Sequence, residues 1–166
     1  MNIRNKFLLG FCLIFLIGTM CGCGFSNQNE NDNSNKVNMY NDNDKIVQEN
    51  NNYTYINCNF SRNNNVIEIK YGSFSGIDTI CFLEAKEDTE ITFDYDSTVD
   101  NGKFKAVLIN PKNEVETIVE GTDQSSKTIK LTKGQYSFKN VGANAAGKIK
   151  ISFSSNSAVK ITEDKK

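Results

Sequence analysis

From Tyr53 onward the chain alternates apolar and polar positions with a period of two, in short runs punctuated by Asn, Gly, Asp and Lys. That is the pattern of half-buried antiparallel strands, and no helical period competes with it. Ile56, Cys58 and Phe60 alternate with polar neighbours; after Arg62 to Asn65, the run Val66–Phe74 sets Ile67, Ile69 and Tyr71 on one face and Glu68 and Lys70 on the other. Thr79–Leu83 is apolar on both faces. Ile91, Phe93 and Tyr95 point inward with Glu90, Thr92 and Asp94 to water, and Asn101-Gly102 has the composition of a hairpin turn. Phe104, Ala106 and Leu108 face the core of the next strand, whose neighbours Val107 and Ile109 predict that its far end is covered on both sides.

Asn110-Pro111 turns the chain into Val115–Val119, and a polar loop from Glu120 to Ser126 leads to a strand carrying Ile129 and Leu131. Lys133-Gly134 reverses it into Tyr136 and Phe138. Val141 breaks that alternation and predicts a bulge before Gly142. Ile149, Ile151 and Phe153 form the inner side of the last clear strand, with an edge tail after Val159. A total of about eight to nine strands predicts an all-β, antiparallel two-sheet sandwich over residues 53–163, with Greek-key or jelly-roll connections.

Upstream the pattern is different. Arg4 and Lys6 precede an uncharged apolar run, Phe7–Met20, that fits the centre of an export signal and is shorter than the roughly 20 residues a spanning helix needs. Met20-Cys21-Gly22-Cys23 resembles a bacterial lipobox. The resemblance implies a signal peptide over residues 1–22, lipidation of Cys23 as the mature N-terminus, and a place on the extracytoplasmic face of the cell membrane. Cys21 is the second choice of acceptor, because bulky Met20 would precede it; an ordinary cleaved signal and an uncleaved anchor are the alternatives. Diacylglycerol puts two acyl chains in a bilayer, which suffices for stable anchoring. Residues 23–52 are rich in Asn, with Val37, Met39, Tyr40, Ile46 and Val47 as scattered apolar positions. Such a segment reads as a solvated tether with a mean reach of about 30 Å.

Composition narrows the chemistry. The 166-residue chain has no His and no Trp, which removes the commonest general base and the strongest sugar-stacking ring. Its net charge is −1, and loss of Arg4 and Lys6 with the signal makes the mature chain more negative, against a nucleic-acid partner. Signal, Asn-rich tether and strands such as Gly102-Lys103-Phe104-Lys105 and Gly147-Lys148-Ile149-Lys150 together look like the small lipoproteins of Gram-positive Firmicutes. The run from Ile91 to Phe153, with Leu131-Thr132-Lys133-Gly134-Gln135-Tyr136, is similar to jelly-roll accessory β-sandwich domains of secreted peptidases. The implied domain is a non-catalytic binding or interaction module with no cofactor. Its partner would be an anionic wall polymer, a carbohydrate or a protein, or its role purely structural.

Each candidate site has a plainer alternative. Cys58 and Cys81, the thiols of the exported domain, would form a disulfide if their Cα atoms come within about 7 Å, or remain two buried thiols. Asp94, Asp96 and Asp100 offer calcium its oxygen ligands without the EF-hand spacing, or form a solvated acidic turn. Lys103, Lys105, Lys130, Lys148 and Lys150 fall on outward positions, where they form either an anion-binding patch or an ordinary solvated sheet face. The Tyr and Phe residues either line a sugar platform or pack the core. If Cys23 carries the anchor, Cys23→Ala moves the protein from the membrane pellet to the soluble fraction on ultracentrifugation; an unchanged pellet fraction refutes lipidation there.

Overall fold

The computed structural model describes residues 34–48 and 51–164. It contains eight antiparallel strands: β1 (Asn52–Thr54), β2 (Asn57–Asn63), β3 (Val66–Ala85), β4 (Thr89–Ile109), β5 (Val115–Glu120), β6 (Asp123–Leu131), β7 (Gly134–Ser155) and β8 (Val159–Glu163). β7 is the middle strand of the ladder, with β3 along one side and β4 along the other. Straight, its 22 residues would span about 70 Å, several times the radius of gyration of about 13 Å for a domain of this size. The long strands must therefore bend.

They bend together. The β3–β7 register slips between Tyr71 and Gly76, and the β4–β7 register slips between Val99 and Lys103. Ser73, Gly76, Gly102 and Asn144 have positive φ there, and the Ser75 hydroxyl joins Asn144 across the fold line, donating to its Oδ1 at 3.1 Å and accepting from its N–H at 3.0 Å. Asn101-Gly102 is accordingly a kink inside one 21-residue strand, correcting the expected hairpin; a left-handed Gly serves both geometries, and only the partner strand distinguishes them. The bend folds one continuous sheet into two leaves. The first comprises β2, residues 66–72, 147–155 and 89–99 of the long strands, and β6. The second comprises residues 76–85, 134–142 and 103–109, flanked by β1 and β8 on one side and β5 on the other. The links 86–88, 121–122, 132–133 and 156–158 each cross from one leaf to the other, giving an antiparallel sandwich of the jelly-roll type.

The core lies between the leaves. Phe138 and Phe153 are both on β7, about 50 Å apart if it ran straight, yet their ring centroids are 5.4 Å apart. Phe93 completes the cluster at 5.7 Å from Phe138 and 5.5 Å from Phe153. A second aromatic group, with Tyr71 stacked on Phe104 at 4.8 Å and Tyr55 on Phe74 at 4.4 Å, fills the bend.

Residues 34–48 are not solvated tether, which corrects the expected 23–52 segment over its described part. Residues 34–38 are helical, Met39–Asn41 is a 3-10 turn, and Asn43–Val47 is a short helix whose N-cap, Asp42, accepts from the Lys45 N–H at 3.1 Å. Tyr40 and Ile46 are buried against Ile77, Val107, Ile109, Val141 and Ala143 on the outer face of the second leaf. The two-sided cover expected for Val107 and Ile109 is thus real, and it is supplied by this segment. Val141 is in register with Ile77, so its apolar character reflects the same cover; the register slip before Gly142 falls on β3, where Ile80 is the extra residue opposite Phe138 and Lys139, and not on β7 as expected, whose next slip against β3 comes after Gly142. Five residues are too few to show a helical period, which is why the pattern missed the helix. The partly covered Lys36 Nζ donates to Thr54 Oγ1 at 2.9 Å, and Tyr40 donates to Glu120 Oε1 at 2.8 Å. Lys139, 2% exposed, donates to the carbonyl oxygens of Ile46 at 2.9 Å and Gln48 at 2.7 Å, capping the helix end.

The bend also sets backbone positions that leave no room for a side chain. A Cβ on Gly142 would lie 2.3 Å from the Phe74 ring, whereas one on Gly72 would meet nothing closer than 3.6 Å. Gly142→Ala should lose about 1–3 kcal/mol in chemical denaturation, and Gly72→Ala should stay within about 0.5 kcal/mol of the parent.

Candidate functional site: a polar groove across the first leaf

Helical cover on the second leaf leaves the first leaf's outer face to solvent, and its side chains follow from strand register. Asn59, Lys70, Lys148 and Thr98 form one cross-strand row. Ser61, Glu68, Lys150, Asp96 and Gln124 form the next, and Asn63, Val66, Ser152, Asp94 and Ser126 the third. The inward neighbours Ile67, Ile69, Ile149 and Ile151 are buried, so this polarity is the other half of the alternation.

Two depressions cross this face. One, of about 580 Å³, lies where the leaf meets the bend and is lined by Asn57, Asn59, Lys70, Thr98, Asp100 and Lys148 among others. The second, of about 260 Å³, is lined by Glu68, Lys70, Asp96, Lys148 and Lys150, so Lys70 and Lys148 belong to both and the two form one groove. Its ammonium groups, Lys70, Lys148 and Lys150, are matched by three carboxylates, Glu68, Asp96 and Asp100. Glu68 and Lys150 are cross-strand partners with Oε1 and Nζ 2.8 Å apart. That hydrogen bond, backed by the opposite charge, holds the Glu68 carboxyl below its ordinary range and the Lys150 ammonium above its own.

Lys70 and Lys148 sit directly opposite each other on neighbouring strands, where like charges cost stability. Beneath them Tyr71 is buried, and its hydroxyl has no hydrogen-bond partner; burial, and then the charge of Asp100, raise its pKa. A floor with two lysines paired across neighbouring strands, flanked by carboxylates, amides and hydroxyls, presents both donors and acceptors.

The five lysines of the expected basic patch are not gathered. Lys148 and Lys150 lie in the groove, and Lys130 is at the edge of the same leaf opposite Glu90. Lys103 and Lys105 are on the other leaf, where Lys105 is 8% exposed, its Nζ lies 4.8 Å from the Tyr40 ring centroid, and burial lowers its pKa. The kink in β4 separates them, because it places residues 103–109 on the opposite leaf from 89–99. Lys70 and Glu68 were legible as outward residues of the 66–74 run; that they meet Lys148 and Lys150 is decided by pairing of β3 with β7.

Asp94 and Asp96 project from the same face of β4 toward Ser126 and Gln124 of β6, and Asp100 sits at the bend. Among the described residues no three His, Cys, Asp or Glu side chains converge to hold a metal ion. No disulfide joins Cys58 to Cys81: Cys58 is exposed on the edge strand β2, and Cys81 is buried in the second leaf beside Phe138. Burial pushes the Cys81 thiol up to about 12. Tyr71, Phe74, Phe93, Phe104, Tyr136, Phe138 and Phe153 are all buried, so these rings pack the core and build no platform. Cys23 and the leader lie outside the described residues, among which no helix is long and apolar enough to cross a membrane.

No protein-family model and no curated protein matches the chain. Solved structures similar to it include a mutant of a family 29 carbohydrate-binding module complexed with mannohexaose, at TM-score 0.36 and 16% identity, covering 69% of this chain and 81% of that one. A CBM4 structure has TM-score 0.35 and 8% identity over 69% and 79% of the two chains. A family two carbohydrate esterase from Clostridium thermocellum in complex with cellohexaose has TM-score 0.33 and 17% identity over 69% of this chain and 34% of that one. Likenesses of this size leave the sandwich to stand on its own strand pairing.

The two thiols differ enough in burial to be told apart directly. An uncharged maleimide at neutral pH should label Cys58 in the native protein within minutes and Cys81 only after denaturation, as read by peptide mass mapping; equal native labelling would contradict the buried position of Cys81.

Proposed function

We propose that the chain is a lipid-anchored extracytoplasmic lipoprotein whose β-sandwich is a non-catalytic binding module, and that its ligand is a neutral carbohydrate chain laid along the groove of the first leaf. The observation that carries this reading is the opposed pair Lys70 and Lys148 in a groove of balanced charge, bordered by Glu68, Asp96, Asp100, Asn57 and Asn59. Two lysines paired across neighbouring strands bring like charges together and favour acceptors near them, and the carboxylates beside them need donors. A sugar hydroxyl is both, so a polyol satisfies the row where a simple anion would meet three carboxylates. The groove lacks an exposed aromatic ring, so binding there rests on hydrogen bonds and would be of modest affinity. An anionic wall polymer is the competing ligand, favoured by the lysine pair alone.

Calorimetric titration with mannohexaose and cellohexaose, set against a polyglycerol phosphate, decides between them. Neutral oligosaccharide binding that holds within about twofold from about 0.05 to about 0.5 M salt is expected, because the attraction is not between net charges. Lys148→Ala and Asp96→Ala should each weaken it about tenfold. Binding of the polyglycerol phosphate alone, falling steeply with salt, would overturn the carbohydrate reading, as would the absence of any oligosaccharide heat.

A further inference from the structure

A second cavity, of about 420 Å³, opens on the other side of β2, between that edge strand and the edge of the second leaf formed by β1 and β8. It shares only Cys58 and Ile69 with the groove. Its walls are Tyr53, Tyr55, Phe60, Ile69 and Ile80. Tyr55 is held rigidly, stacked on Phe74 at 4.4 Å and donating its hydroxyl to Asp78 at 2.9 Å. Phe60 is 48% exposed on the inward side of β2, because no strand of the second leaf lies beneath it. An aromatic rim over apolar walls is the usual make-up of a small-molecule pocket, and the volume lies in the range such pockets occupy.

Its polar groups narrow the ligand. Arg62 is 13% exposed; its Nε lies 3.3 Å from Glu163 and 3.4 Å from the Asn64 carbonyl oxygen, and its Nη1 is buried with no acceptor. A guanidinium N–H left without a partner beside an apolar cavity calls for an oxygen from whatever fills it. The lining also holds the carboxylates of Asp78, Glu163 and Asp164 against this one cation, so a ligand carboxylate would enter a negative field. A ligand ammonium would be drawn by those carboxylates but has no acceptor to offer, and would leave the Arg62 donor unmatched.

From these constraints we infer that the cleft binds a small neutral molecule with a ring-sized apolar body and a single hydroxyl or carbonyl oxygen, the oxygen accepting from Arg62 Nη1 while the body lies between Phe60 and the Tyr53–Tyr55 wall. The matched probes are 2-naphthol, naphthalene, 2-naphthoate and 2-naphthylmethylammonium, titrated into the isotopically labelled purified protein and followed by amide shifts. We expect shifts at residues 58–62, 78–80 and 163, with 2-naphthol binding about tenfold or more tightly than the other three. Arg62→Met should bring 2-naphthol down to the level of naphthalene without lowering naphthalene, and Phe60→Ala, at the exposed rim, should weaken both. Equal binding of naphthol and naphthalene to the parent would overturn the inference, as would tighter binding of either charged probe, no shifts, or shifts confined to Lys70 and Lys148.

Discussion

Phe138 and Phe153 belong to one strand, and their contact expresses the constraint on which the rest of the molecule depends: β3, β4 and β7 are too long for the domain and must fold over together. A bend in one strand alone would break two ladders, so the slips in β3 and β4 face the same stretch of β7. Small or left-handed residues at the crease let backbones approach, and Ser75 and Asn144 restore hydrogen bonding where the ladders are interrupted. Every core aromatic contact across the leaves follows from that crease.

Folding a sheet into two leaves creates two outer faces, and the chain treats them differently. On the second leaf Ile77, Val107, Ile109 and Val141 would form an apolar patch in water, so residues 34–48 lie over them. Burying Ile46 fully contributes about 1.5–3 kcal/mol, and Lys139 ties the end of the covering helix to the sheet with two hydrogen bonds. The first leaf carries charges, amides and hydroxyls at the equivalent positions and needs no cover. The difference in side chains between the leaves is therefore also a difference in accessibility, and it leaves the groove as the open face.

The groove and the edge cleft sit on opposite sides of β2 and differ in physical character. In the groove, Lys and carboxylate side chains are solvated and nearly cancel, which suits many weak hydrogen bonds to an extended polyol. In the cleft, one guanidinium donor is withdrawn from water among aromatic walls, so a single well-placed oxygen carries more of the selectivity. Cys58 lines both and lies on the thin strand between them.

Strand character was legible because a period of two reports a half-buried sheet whatever its partners: Ile67, Ile69, Ile91, Phe93, Ile149 and Ile151 are inward as their alternation requires. The doubly apolar stretch at Val107 and Ile109 likewise announced a cover without saying what supplies it. The sequence alone also carries the leader pattern at Met1–Cys23 and the absence of histidine. Tertiary structure decided the rest, because partners across a sheet are far apart in the chain. Asn101-Gly102 suits a hairpin or a kink equally until β7 runs past it, and Lys103 and Lys105 leave Lys148 and Lys150 only because the crease intervenes. Residues 34–48 acquire structure from the apolar face they lie on, since a five-residue helix cannot hold itself together in water. Local pattern determines which way a side chain points; only the register and the bend determine what it meets.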